Sequence, residues 1–448
     1  MPALPSLSAL RSPGAVNHRA TTAHLQSVYP GICEGRGFSR GVYIGRDLHG
    51  GSFTYDPWEL YNAGLLTNPN MLVLGQLGLG KSALVKTYVY RQLVFGRQAL
   101  MLDPKGENGA LCAACGVSPV VLRPDGEGGG LRLNPLDLGL AGDLRTRLME
   151  RIRILSAVCG ASLGRPLTPE ERLALELATD DATPRSRWDI APTLRGVVDA
   201  LLHPSSSAAD TASTTPDALA AASRSVALDL RRLVDGDLCG MFDGETSAAI
   251  DLSAPLVSFD LSAVYGSSAL PILMACVGAW FQGVLAGDPS TKRIVVLDEA
   301  WALLSNLETA QWLRASYKLA RSQGAQYLAV LHRLTDLQAA GSADSAQVRL
   351  ARGLVSDTET VVIYGQHSGE VPATRELLQL NDEEARAISG LDRGVALWRV
   401  GSRSYLVRHW ISKQESAICD TDQRMRENLR EFRPTQGSTV VNSGDRMS

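Results

Sequence analysis

The chain has 448 residues, of which 45% are hydrophobic and 20% charged, a composition that excludes a disordered polymer and allows one large core with an insertion, or two domains. A net charge of -3 and a pI near 6.2 exclude a global basic field able to hold nucleic acid or an anionic membrane unaided, so any DNA contact must be local. The seven cysteines are odd in number and scattered; Cys112-Ala-Ala-Cys115 lacks a second pair at metal-ligand spacing, which points to unpaired thiols in a reducing compartment.

Residues 1–37 mix Pro, Ser, Gly and Ala without a period or a continuous apolar run, and read as a disordered segment with no signal peptide. Gly41 to Arg46 predicts a strand, Leu48 to Gly51 a turn, and Ser52 to Tyr55 the returning strand. Met71 to Leu74 is a short apolar strand that runs into Gly75, and from Lys81 apolar residues recur with helical spacing until Gly96. Ala99 to Leu102 predicts the next buried strand, ended by the turn Asp103-Pro104-Lys105-Gly106-Glu107.

Between 141 and 249 the period is helical, with Thr168-Pro-Glu-Glu171 as a capping box, and this stretch is expected to be an all-helical insertion. Within it Ser205 to Pro216 reads as a flexible surface loop. Ala269 to Ala286 is nearly long enough to span a membrane, yet Gln282 interrupts it and apolar strands flank it, so it reads as a buried crossover helix rather than a span. Strands return at Leu256 to Asp260, Arg293 to Leu297, Tyr327 to Leu331 and Thr360 to Tyr364. A closing hairpin then pairs Val395 to Val400 with Tyr405 to Trp410 across Gly401 to Ser404. Strands alternating with helices predict an α/β fold with a mostly parallel sheet flanked by helices. Core segments at 38–140 and 250–412 are expected to enclose the insertion, and 413–448 to be a helical, then disordered, tail.

Gly75-Gln76-Leu77-Gly78-Leu79-Gly80-Lys81-Ser82 fits G-x-x-x-x-G-K-[ST] in full, between a buried strand and an amphipathic helix. Its glycines let backbone N–H groups curl toward phosphates, Lys81 reaches the β and γ phosphates of ATP, and the Ser82 hydroxyl is a ligand for Mg2+. Ile294 to Leu297 is an apolar strand ending in two acids: Asp298 is the second metal ligand and Glu299 the base that orients and deprotonates water. His332 ends the next strand and is a sensor candidate for the γ-phosphate or the attacking water. Arg314, Lys318 and Arg321 are read as one basic stripe on the helix after the acids. Arg314, Arg321, Arg349 and Arg352 are candidates for an arginine offered to a neighbouring subunit, with Arg321 also a candidate catalytic residue.

Gly45-Arg46, the P-loop, Asp103 to Glu107, Asn134-Pro-Leu-Asp137, Leu297-Asp-Glu-Ala-Trp301, Arg321-Ser-Gln-Gly-Ala325 with His332-Arg-Leu-Thr-Asp336, and Gly394-Val-Ala-Leu-Trp-Arg399 together resemble the traffic ATPases of conjugation and type IV secretion. That family, TraC-like and of the VirB type, lies within the HerA/FtsK superfamily. The resemblance covers roughly residues 40 to 410. It implies a RecA-like core with a helical subdomain, assembly as a homo-hexamer with ATP at the subunit interfaces, and a position peripheral to the inner face of the cytoplasmic membrane. Two departures stand out: His332 occupies a place where many relatives carry Gln, and the long amino-terminal domain of the full-length ATPases is missing. Docking to secretion-channel or membrane proteins is therefore expected to need another protein. The rival readings are a DNA-translocating coupling protein or FtsK/HerA-like motor, and a nucleotide-gated scaffold with little turnover. Glu299 speaks against the scaffold, which has no need of a general base.

Overall fold

The computed structural model describes residues 40–124, 130–137, 143–184, 190–267, 269–304, 307–332 and 346–419. The expectations for residues 1–37, for the tail beyond Cys419 and for Arg333 to Asp336 lie outside them. In chain order the strands are β1 (Val42–Asp47), β2 (Ser52–Tyr55), β3 (Met71–Leu74), β4 (Gln98–Asp103), β5 (Val120–Val121) and β6 (Leu256–Asp260). They continue as β7 (Arg293–Leu297), β8 (Ala325–Leu331), β9 (Thr360–Tyr364), β10 (Val395–Val400) and β11 (Arg403–His409). All join one sheet in the order β2-β1-β11-β10-β9-β3-β8-β7-β4-β6-β5. From β9 to β5 every neighbouring pair is parallel, and from β2 to β9 every pair is antiparallel.

The parallel strands are short and apolar because both faces are covered: β3 (MLVL) and β7 (RIVVL) are buried at every position. Side chains alternate between two cores. Leu72, Leu74, Leu100, Leu102, Val295 and Leu297 enter one; Met71, Val73, Ala99, Met101, Ile294 and Val296 enter the other. The helix Lys81–Leu93 covers the second face through Leu84, Val85, Tyr88 and Val89. The first face is covered by Leu270–Gly287; Leu144–Leu163 packs on the outside of that helix, and Pro169–Asp181, Leu194–Leu202 and Pro216–Val234 extend the same core away from the sheet. Each fully buried Leu, Ile or Val contributes about 1.5–3 kcal/mol, so the two cores dominate the stability of the sheet.

Helix Leu270–Gly287 is apolar enough to cross a membrane by length and composition, but 78% of its window is buried inside the molecule, and Pro271 lies in its first turn. It is a core helix. Gly278 lets the Trp312 ring of the helix Leu307–Leu319 lie against its backbone, where a Cβ would collide with that ring.

Two local expectations are corrected. Ser205 to Pro216 is not a loop: Ser206–Thr211 is helical, capped by the Ser205 side chain accepting from Ala208 N, and it buries Ala208 and Ala209. The Ser and Thr residues that suggested a loop are N-caps, Ser205 here and Thr215 for the helix that follows. In the closing hairpin, Arg403 already pairs with Val400, so the turn is the two residues Gly401-Ser402, made possible by Gly401 at φ 57°.

Candidate nucleotide-binding and hydrolysis site

In β9-β3-β8-β7-β4 all strands point the same way, so their carboxyl ends line one edge of the sheet. The P-loop leaves from β3, His332 from β8, Asp298 and Glu299 from β7, and Asp103 to Glu107 from β4. Loops at this edge are where open α/β sheets gather ligands.

The P-loop backbone takes its course through Gly75, Gly78 and Gly80 at φ 146°, 78° and 115°. At Gly75 a Cβ would come within 2.5 Å of the Tyr364 Cβ, so only glycine fits against the end of β9. Gln76 N donates to Gly365 O (3.1 Å) and Gly394 N to Leu79 O (2.9 Å), which fixes the loop from outside. Leu77 stands at the tip, 70% exposed. No acceptor among the described residues meets the N–H groups of Gly78 to Ser82, and they remain as donors at the start of the helix Lys81–Leu93, the arrangement that suits phosphate oxygens.

Lys81 is 4% exposed, and its ammonium donates to the carbonyls of Gly75 and, at 2.8 Å, of Gln76. Burial pulls its pKa down to about 8; the Asp298 and Glu299 charges act against this and the Lys105 charge with it. Lys81 and Asp298 thus share one site. Asp298 is pushed up to about 6 by burial and by the Glu299 charge beside it, and its Oδ1 accepts from Glu299 N at 2.9 Å. Ser82 lies in the first helical turn, next to Lys81.

Glu299 is 1% exposed and adopts φ 53°, in the left-handed region. Its Oε1 accepts from His332 Nε2 at 2.7 Å and from Lys105 Nζ, and its Oε2 accepts from Trp301 Nε1. A carboxylate can only accept, so His332 carries its proton on Nε2. Burial alone would raise the Glu299 pKa, but the hydrogen bonds and charges of His332 and Lys105 bring it to about 2.

Lys105 and Trp301 escaped the sequence reading as functional residues. The signal for Lys105 was its place just past a strand end, in the turn that Asp103 closes by accepting from Asn108 N at 2.8 Å. That turn is also tied to the P-loop helix, since Lys86 Nζ donates to Glu107 O at 2.7 Å.

The arginines stay apart from this cluster. The helix expected to carry Arg321 ends at Leu319, so Arg321 falls in the turn before β8, at the opposite edge of the sheet from His332. A strand of that length spans about 23 Å, so Arg321 cannot act on the P-loop of its own chain and leaves the catalytic set. Arg314 pairs with Asp357 at 3.5 Å and packs on Gly353; Arg352 pairs with Glu376 at 3.3 Å. Arg349 is exposed on the helix Ala346–Ser356.

Residues 64–117 match the family model of an AAA-like domain, a span that runs from before β3 to past β4. No curated protein matches the chain. Among solved structures, VirB4 of Thermoanaerobacter pseudethanolicus superposes with a TM-score of 0.68 at 22% identity, over 85% of this chain and 99% of that one. The bacterial conjugative coupling protein TrwB gives a TM-score of 0.52 at 15% identity, over 77% of this chain and 85% of that one. TrwB in complex with ADP and Mg2+ gives 0.51 at 17% identity over the same shares. The chain has the fold of VirB4 and TrwB. It is an α/β, RecA-like P-loop ATPase fold, extended by antiparallel hairpins on the β9 side.

Proposed function

We propose that the chain is a MgATP-hydrolysing motor or assembly ATPase of a bacterial conjugation or type IV secretion system. The observation that carries this reading is the meeting of the P-loop, Lys81, Asp298 and Glu299 at one sheet edge. It occurs in a fold that VirB4 shares over nearly its whole length. In this reading Gly75, Gln76, Leu77, Gly78, Leu79 and Gly80 cradle the phosphates with backbone N–H groups, and Lys81 exchanges its carbonyl partners for phosphate oxygens. Ser82 and Asp298 would hold Mg2+, a hard cation suited to hydroxyl and carboxylate oxygens, which neutralises phosphate charge when bound. Glu299 orients and deprotonates the attacking water, and His332, hydrogen-bonded to it, orients Glu299.

The active form in this proposal is a homo-hexamer, peripheral to the inner face of the cytoplasmic membrane and docked on secretion-channel or membrane proteins. Arg321, remote from its own P-loop, then serves a neighbour, with Arg314, Arg349 and Arg352 as the other candidates. Residues 141–249 form its helical subdomain. A DNA-translocating coupling protein is the second reading, favoured by the TrwB likeness but with a TM-score of 0.52 against 0.68. Phosphate release by the purified chain, with and without single- and double-stranded DNA, tests both. Turnover without DNA supports the first, strong DNA stimulation of a hexamer favours the second, and nucleotide binding with no turnover leaves the scaffold.

A further inference from the structure

The carboxylate of Glu299 is held by three side chains from three neighbouring elements: Lys105 past β4, Trp301 at the start of the helix Trp301–Leu304, and His332 at the end of β8. All three donors are more exposed than the acid they hold: the side chains of Lys105 and His332 are 23% and 19% exposed and Trp301 is 36% exposed, against 1% for Glu299. They lie between the carboxylate and solvent. Each carboxylate oxygen has two lone pairs in its plane, and Oε1 uses both, for Lys105 and His332. A water approaching Glu299 therefore finds one oxygen fully occupied.

The three donors differ in what could displace them. Trp301 sits two residues from Glu299, and His332 is anchored at a strand end. Lys105 alone is a point charge on a flexible stem, in a glycine-containing turn where Gly106 has φ 68°. It also lies near the ring of the exposed Tyr265, 6.0 Å from its centroid. The β4 end and the P-loop end are three strands apart, about 14 Å, with Glu299 and His332 between them. Lys105 thus touches the carboxylate from the β4 side, and its charge reaches Lys81 of the P-loop.

We propose that Lys105 is a positioning residue shared between Glu299 and the γ-phosphate: it holds the Glu299 carboxylate, and a bound triphosphate draws it away, freeing Oε1 for the attacking water. This rests on the ATP-site reading above. ADP, lacking the γ-phosphate, would leave the Lys105–Glu299 contact in place. Trp301, bonded to the same carboxylate, is a built-in reporter of its movement.

The experiment uses the full chain and measures binding of ADP and of a non-hydrolysable ATP analogue, with tryptophan emission as a second readout. The wild type should change emission with the analogue but not with ADP, and Trp301→Phe should abolish that change. Lys105→Met should keep ADP affinity within about twofold and lose about tenfold or more of the preference for the analogue, while Lys105→Arg restores part of it. An unchanged preference and unchanged emission response in Lys105→Met overturn the proposal. Should Lys105→Met fail to fold, the wild type and Trp301→Phe decide: equal emission responses to ADP and analogue in the wild type overturn it. A wild type that binds neither nucleotide overturns the ATP-site reading beneath it, a result distinct from the others.

Discussion

Gly75 and Lys81 shape the same strip of backbone from two sides, one by lacking a side chain against Tyr364 and the other by donating to its carbonyls. Lys81→Ala should abolish detectable ATP binding or lower turnover at least 100-fold; full retention, read with a fluorescent nucleotide, would remove the phosphate cradle. Glu299→Gln should keep ATP binding and lower turnover by about 10²–10⁴-fold. Elsewhere, His409 carries a pH-dependent part of the stability. Burial first, and the Arg91 charge second, lower its pKa from the ordinary 6.5 to about 4. Above pH 6.5 neither folded nor unfolded chain protonates it. Between 6.5 and 4 the unfolded chain takes up a proton that the folded one refuses, so stability falls with pH, by about 2 kcal/mol from pH 7 to 5. His409→Gln should flatten that interval in urea melts at the two pH values; an unchanged slope would refute the assignment. The P-loop was legible because its glycines and lysine are adjacent in sequence and their spacing is itself the geometry. The ties on Glu299 were not, since Lys105 lies 194 positions earlier and meets it only through the β4–β7 pairing.

At the level of elements, β3, β7 and β9 could be read as buried strands because each is a run of apolar residues too short for a helix. Ser206–Thr211 could not, because six residues of Ser, Ala, Asp and Thr have no apolar period and owe their helicity to a cap and to two alanines they bury. Ser205→Ala should therefore cost about 1 kcal/mol in chemical denaturation. The contact of Leu270–Gly287 with Leu307–Leu319 is more demanding. Gly278→Val places two methyl groups where the Trp312 ring lies and should destabilise the chain by about 1–3 kcal/mol. A denaturation midpoint equal to the wild type's would mean that the two helices part more easily than their packing indicates.

For the whole molecule, the distance between Arg321 and its own P-loop turns a residue question into one of assembly. If subunits complete one another's sites, Lys81→Ala and Arg321→Ala chains, each inactive alone, should recover part of the turnover when mixed. Co-assembled mixtures with no recovery would exclude Arg321 as the residue given in trans. The overall α/β order was legible from alternating strands and helices, whereas the placement of arginines at one sheet edge or the other depends on where each helix stops. The antiparallel hairpins do more than widen the sheet. His409 N donates to Gly394 O at 2.8 Å, Gly394 N donates to Leu79 O at 2.9 Å, and His409 Nε2 meets Thr87 Oγ1 at 3.0 Å on the P-loop helix. Any displacement of the β10–β11 ribbon would therefore reach the P-loop through two hydrogen bonds in series, so the ribbon and the glycine loop move as one mechanical unit.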